Sequence, residues 1–92
     1  MTSGDSVDHG AAVPVWRQLA AIIRARITTG QIPPGRVLPS EKQLEQEFGI
    51  SRGTARKAIA LLRDEGLVVT VAGRGSYVAD PLPDDEDGRP PS

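Results

Sequence analysis

Cysteine is absent, histidine occurs once, as His9, and the only aromatic residues are Trp16, Phe48 and Tyr77. Without thiols there is no disulfide framework, no thiolate nucleophile and no cysteine-based zinc site, which suits a reducing compartment. No apolar run approaches the roughly 18 residues of a membrane span. The opening MTSGDSVDHG has neither the basic patch nor the apolar stretch of a secretion signal, so a cytoplasmic address is expected. Catalysis would need a nucleophile with a base, or a metal. The one histidine sits in a polar leader and the carboxylates are spread over helix surfaces and the tail. Neither an enzyme, nor a cofactor, nor a bound metal is expected.

The chain has 92 residues, 38% of them hydrophobic. That is enough for one small core of Leu, Ile, Val and Ala, with no room for a large ligand cavity as well. Charge is distributed unevenly. Residues 1–13 carry −2, residues 80–92 carry −4, and residues 14–79 carry +5, with ten basic side chains against Glu41, Glu45, Glu47, Asp64 and Glu65. A basic centre between acidic ends is expected of a chain that meets a polyanion, although the same excess also describes an ordinary solvated surface. Residues 1–13 lack periodicity, and DPLPDDEDGRPPS at 80–92 joins four prolines to a run of acids. Both ends are therefore expected to be disordered, leaving 14–79 as the folded unit. The run Asp84-Asp85-Glu86-Asp87 reads as a solvated tail, with divalent-ion binding or competition for the basic face as its other readings.

Within the folded unit, Trp16, Leu19, Ala20, Ile23 and Ile27 recur at helical spacing and line one face of a first helix, with Pro14 at its start and Gly30 at its stop. In the following QIPPGRVLP, Pro34-Gly35 has the sequence of a type II turn, and Arg36-Val37-Leu38 has room for a short strand. Ser40 with Gln43 forms a capping-box pattern that opens a second helix, Glu41–Phe48, with Leu44 and Phe48 inward. Gly49 ends that helix and Ile50 covers the end. Ser51 is the N-cap candidate of a third helix running to about Glu65. There Ala55, Ala58, Ile59 and Leu62 share one arc, while Arg52, Arg56 and Arg63 cluster within about 40° on the adjoining face. After Gly66 the period changes. LVVTV and SYVA are strand-like runs separated by Ala72-Gly73-Arg74-Gly75, a hairpin with an arginine near its tip. The fold class expected is mainly α with a small β wing: a winged helix-turn-helix of three helices and a two-stranded hairpin.

Only Gly49-Ile50-Ser51 separates the second and third helices, which is the helix-turn-helix arrangement. An α-helix fits the major groove of B-form DNA, and the N-terminal residues of such a helix reach base edges first. Arg52 and Arg56 stand just past the turn, on the face adjoining the core stripe, as candidates for bidentate bonds to guanine. Gly53 leaves a bare patch that either admits DNA closely or merely weakens the first turn. Ser51 and Thr54 are candidates for a phosphate at the helix start, and Ser51 is equally an ordinary cap; the two roles can coexist. Lys57 points to the flank, toward phosphate or water, as does Lys42 on the bracing helix. Arg63 either extends the cationic stripe or faces the acids near it. In the hairpin, Gly73 and Gly75 free the backbone around Arg74, whose guanidinium a narrow minor groove would attract.

These residues resemble the winged-helix DNA-binding domain of the GntR family of bacterial transcription regulators. The resemblance spans residues 14–79 and is carried by IPPGRVLPSE, FGISRGTARKAI and GRGSYV in order and spacing. It implies a sequence-specific regulator of double-stranded DNA, a repressor, with the helix at 52–65 in the major groove and the wing at 67–79 at the minor groove. It also implies DNA contacts at Lys42, Ser51, Arg52, Thr54, Arg56, Gly73 and Arg74, and a homodimer on two-fold related half-sites. Three positions depart from the family pattern: Glu45 replaces a usual alanine, Gly53 a usual hydroxyl-bearing residue, and Ala72 a usual polar wing residue. Family members usually add a metabolite-binding domain that holds the dimer together. Thirteen residues follow the wing here, so no small-molecule effector pocket is expected within this chain. A stand-alone regulator, a fragment of a longer one, and a dimer made by helix one and the tails all fit that length. The competing functional class is a protein-interaction module that keeps the winged fold without binding DNA.

Overall fold

A computed structural model describes residues 6–83. The acidic run Asp84-Asp85-Glu86-Asp87, and the expectations attached to it, lie outside the described residues. The order is α1 (Val15–Thr28), α2 (Glu41–Phe48), α3 (Arg52–Asp64), β1 (Val68–Val71) and β2 (Gly75–Val78). Three helices and an antiparallel hairpin give the winged helix-turn-helix expected. Among the described residues, no helix is long and apolar enough to cross a membrane.

Each element begins and ends where local chemistry dictates. Pro14 stands at the N-cap of α1. The Arg36 amide donates to Pro33 O at 3.1 Å, and Gly35 has φ 83°, the type II geometry. Ser40 and Gln43 form the reciprocal capping box, with Gln43 N–H donating to Ser40 Oγ (3.1 Å) and Ser40 N–H donating to Gln43 Oε1 (2.8 Å). Gly49 closes α2 in the left-handed conformation. Ser51 then caps α3, accepting the Thr54 amide. α3 ends at Asp64 with Glu65 as its C-cap, one residue short of the expected boundary.

One apolar cluster joins these pieces. Leu19, Ala20, Ile23 and Ile27 of α1 meet Ala55, Ala58, Ile59 and Leu62 of α3, with Leu44 and Phe48 of α2 closing one side. Leu67, Val68 and Val78 seat the root of the hairpin on the same core, and Leu38 is buried with them. The hairpin register pairs Val68 with Val78 and Val71 with Gly75, leaving Ala72-Gly73-Arg74 as the loop. The short third strand reduces to a bridge between Val37 and Tyr77. It is supported by Leu38 N–H donating to Ser76 O (2.8 Å) and Val78 N–H donating to Arg36 O (2.9 Å).

Four features differ from the pattern reading. Trp16 is half-buried, at the edge of the α1 stripe rather than within it. Arg26 lies on the inner side of α1 and is buried, its guanidinium 5.6 Å from the Phe48 ring centroid and Nη2 2.9 Å from Glu47 Oε2. Residues 6–13 form no helix or strand but are fastened to α1. Gln18 accepts the Asp8 amide (2.7 Å) and donates to the carbonyls of Asp8 (3.0 Å) and Val13 (2.8 Å), while Val7 packs on the core. At the other end, Leu82 also packs on the core.

Candidate nucleic-acid interface

The turn Gly49-Ile50-Ser51 makes α3 start at the surface, braced from behind by α2. Its apolar arc is buried in the core, so the adjoining face is left to solvent. On that face Arg52 and Arg56 have side chains 70% and 65% exposed. They are not idle. Arg52 Nε lies 3.9 Å from Glu45 Oε2 of α2, and Arg56 donates from Nε and Nη2 to the two oxygens of Glu41 at 3.3 and 3.4 Å. Each candidate base-reading arginine therefore has a carboxylate of α2 beside it. Exposed ion pairs contribute about 0–1 kcal/mol, because water competes for both charges, so a ligand that bonds the guanidinium more strongly displaces them.

At the start of α3 the hydroxyls are arranged by the cap itself. Ser51 accepts the Thr54 amide at 3.2 Å and donates its proton to Thr54 Oγ1 at 3.1 Å, which leaves the Thr54 hydroxyl proton to point elsewhere. The first amide bonded to a helical carbonyl is Ala55 N–H, to Ser51 O, so the Arg52 and Gly53 amides sit at the electropositive end of the helix. Gly53 is exposed, and a Cβ added there would meet nothing nearer than Ser51 Oγ at 3.9 Å.

The wing completes a concave surface. A cleft of about 700 Å³ runs between the start of α2, the start of α3 and the hairpin tip, and Lys42, Arg52, Gly73 and Arg74 line it together with Glu41 and Glu45. Arg74 is exposed, and its amide donates to Val71 O at 2.9 Å. Gly73 and Gly75 take φ 76° and 120°, conformations that L residues rarely adopt, so the loop needs glycine at both places to carry Arg74 outward.

Lys57 and Arg63 stand apart from that group. The Lys57 ammonium lies 4.8 Å from the Trp16 ring centroid, with Arg17 5.0 Å from the same centroid, a cation-π arrangement tying α3 to the start of α1. Arg63 donates from Nη1 to Thr70 Oγ1 at 3.0 Å, which ties α3 to β1 instead of facing the acids nearby. Sequence reasoning missed Glu41 and Glu45 as partners of the arginines, and Arg63 as a link to the wing. Each contact joins two different elements, so no local spacing announces it. Among the described residues, no group of three or more His, Asp or Glu side chains is placed to hold a metal ion.

A cationic helix braced through a three-residue turn, with a hairpin beside it, defines a winged helix-turn-helix protein. The chain belongs to the gntR family of bacterial regulatory proteins, whose family model matches residues 9–78. It is 34% identical over 76 residues to the HTH-type transcriptional repressor NagR of Bacillus subtilis, which covers 83% of this chain and 31% of that protein. It is 42% identical over 65 residues to MngR of Escherichia coli, the mannosyl-D-glycerate transport/metabolism system repressor, covering 71% of this chain and 27% of that one. The chain thus spans less than a third of the length of these relatives. Among solved structures it is similar to the DNA-binding domain of AraR in complex with operator ORX1, with TM-score 0.77 and 37% identity over 82% of this chain and 95% of that one. The same domain on operator ORR3 gives TM-score 0.72 and 40% identity over 75% and 83% of the two chains. These relatives are named as regulators and repressors of transcription, not as enzymes.

Proposed function

We propose that residues 14–79 form a sequence-specific DNA-binding domain of a bacterial transcription regulator that acts as a repressor. One observation carries this reading: Arg52 and Arg56 lead α3 on its outward face, about two-thirds exposed, beside a cleft that also holds Lys42 and Arg74. In this reading Arg52 and Arg56 bond guanine edges in the major groove, with Gly53 admitting the DNA backbone or base edges closely. Ser51, Thr54 and Lys42 hold phosphate, and Lys57 joins them by leaving Trp16. The Gly73-Arg74 tip enters the minor groove. AraR domains of this fold have been seen on operator DNA, and by analogy two copies of the present chain would occupy two-fold related half-sites. Such a protein works in the cytoplasm, at the nucleoid.

Selection of bound sequences from random duplexes tests the proposal. A recurring motif containing guanine, with affinity falling steeply as salt rises, is the expected result, each neutralised phosphate contributing about −0.9 to the logarithmic slope. Failure to enrich any sequence, joined to capture of a protein through the same face, would replace it with an interaction module.

Gly53 gives a sharper local test. Gly53→Ala is expected to raise stability by up to about 1 kcal/mol, because the chain loses freedom in the unfolded state and a Cβ meets no obstacle. Affinity for the selected duplex is expected to fall in the same variant, since the added methyl stands where DNA approaches. Thermal melting and a fluorescence titration read the two effects separately, and an unchanged affinity would deny Gly53 its role.

A further inference from the structure

We propose that Glu45 is a specificity-determining residue: it offsets the charge of Arg52 while leaving the hydrogen-bonding end of that guanidinium open to a base. The inference rests on the DNA-binding reading above and concerns how that surface separates one sequence from another.

The geometry has three parts. Glu45 lies midway along α2, and the short turn sets its carboxylate across from the first residue of α3, with Oε2 3.9 Å from Arg52 Nε. The shortest approach is to Nε and is too long for a hydrogen bond, so the carboxylate acts on the charge without occupying a donor. Bidentate recognition of guanine uses two guanidinium nitrogens, and the end formed by Nη1 and Nη2 faces away from Nε–H. The second part is the helix end. α3 has no acidic residue in its first turn and begins with an arginine, so a positive side chain sits where the helix dipole is already positive. Glu45 supplies from the neighbouring helix the negative charge this terminus lacks. The third part is place: Glu45 and Arg52 line the same cleft as Lys42 and Arg74, so the carboxylate stands among the cations facing DNA.

These facts separate two kinds of attraction. Binding to phosphate depends on net charge and is blind to sequence, whereas binding to guanine depends on directed donors. A carboxylate beside Arg52 weakens the first more than the second. Glu41 differs in this respect. It takes Nε and Nη2 of Arg56 together, at 3.3 and 3.4 Å, so it competes with a base as well as with phosphate. Glu45, 31% exposed and no nearer to the Arg52 guanidinium than 3.9 Å, is the residue placed to trade affinity for discrimination.

The test compares wild type, Glu45→Gln, Glu45→Ala, Arg52→Ala and the Glu45→Gln/Arg52→Ala pair on the selected duplex and on a scrambled duplex of equal length, over a range of salt. Both neutral variants are expected to bind the scrambled duplex about 2- to 5-fold more tightly, the scale of an exposed ion pair. The logarithmic salt slope should steepen by up to about 0.9, and the ratio of selected to scrambled affinity should fall. In the Arg52→Ala background, Glu45→Gln is expected to leave that ratio unchanged. A packing role for Glu45 would alter melting without moving slope or ratio. The inference is overturned if slope and ratio stay at wild-type values, or if Glu45→Gln lowers the ratio equally without Arg52. Wild type binding neither duplex would overturn the DNA-binding reading itself, a result distinct from both.

Discussion

Arg52→Ala with Arg56→Ala is expected to remove preference for the selected duplex almost completely while leaving the fold intact. Each bidentate arginine–guanine pair provides roughly 1–3 kcal/mol of discrimination, so losing two costs about 2–6 kcal/mol, or roughly 30- to 10⁴-fold in relative affinity. The protein itself gives up little. Both side chains are about two-thirds exposed, and Glu41 and Glu45 are 38% and 31% exposed, so the carboxylates left behind remain hydrated. Melting should therefore shift by no more than an exposed substitution does, about 0.5 kcal/mol. Residual, salt-sensitive binding should persist through Lys42, Arg74 and the start of α3. Titration of both duplexes with wild type and the double variant checks this. Equal affinities for the selected duplex would show that α3 does not read it.

The second large effect concerns how α3 is held. Leu62→Ala is expected to cost about 2–5 kcal/mol, because Leu62 is 0% exposed in the cluster shared with α1 and the hairpin root, and its neighbours cannot fully close the cavity. A domain this small has only several kcal/mol of total stability, so a loss of that size populates the unfolded state at moderate temperature. The Arg24–Glu65 pair, 2.9 and 2.7 Å between its two donors and two acceptors, ties α1 to the end of α3 but cannot replace that contact, being about one-third exposed on both sides. Since the proposed duplex ligand would bind the folded form alone, duplex at 100 times its dissociation constant should restore about 2.7 kcal/mol. Urea unfolding of the variant with and without the selected duplex reads both numbers. An unchanged midpoint for Leu62→Ala would mean that the core does not set the position of α3.

Much of this architecture could be read along the chain because its signals are local. Ser40 with Gln43, Ser51 with Thr54, and Gly49 each act within one helical turn, and the structure places the α2 and α3 boundaries within a residue of those signals. The hairpin was legible because the hydrophobic period changes after Gly66. Arg36-Val37-Leu38 was less so: Val37 is 55% exposed, and the segment is fixed only by bonds to β2, a partner some forty residues away. Arg26 follows Ile23 by three residues on the inward side of α1, which is a local signal, whereas its pairing with Glu47 and Phe48 depends on how the helices cross. At the candidate interface the cationic stripe was legible from spacing alone. The carboxylates that shade it were not, because Glu41 and Glu45 meet Arg56 and Arg52 only once the turn has folded α2 against α3. The leader likewise looked featureless because its fastening, through Gln18, reaches ten residues back to Asp8.

The measurement that bears most directly on the central claim is amide chemical-shift mapping of the chain as the selected duplex is added. The account predicts the largest changes at residues 51–57 and at Gly73 and Arg74, with a smaller set at the start of α2 around Lys42. Changes gathered on the solvent face of α1, with residues 51–57 unmoved, would contradict it.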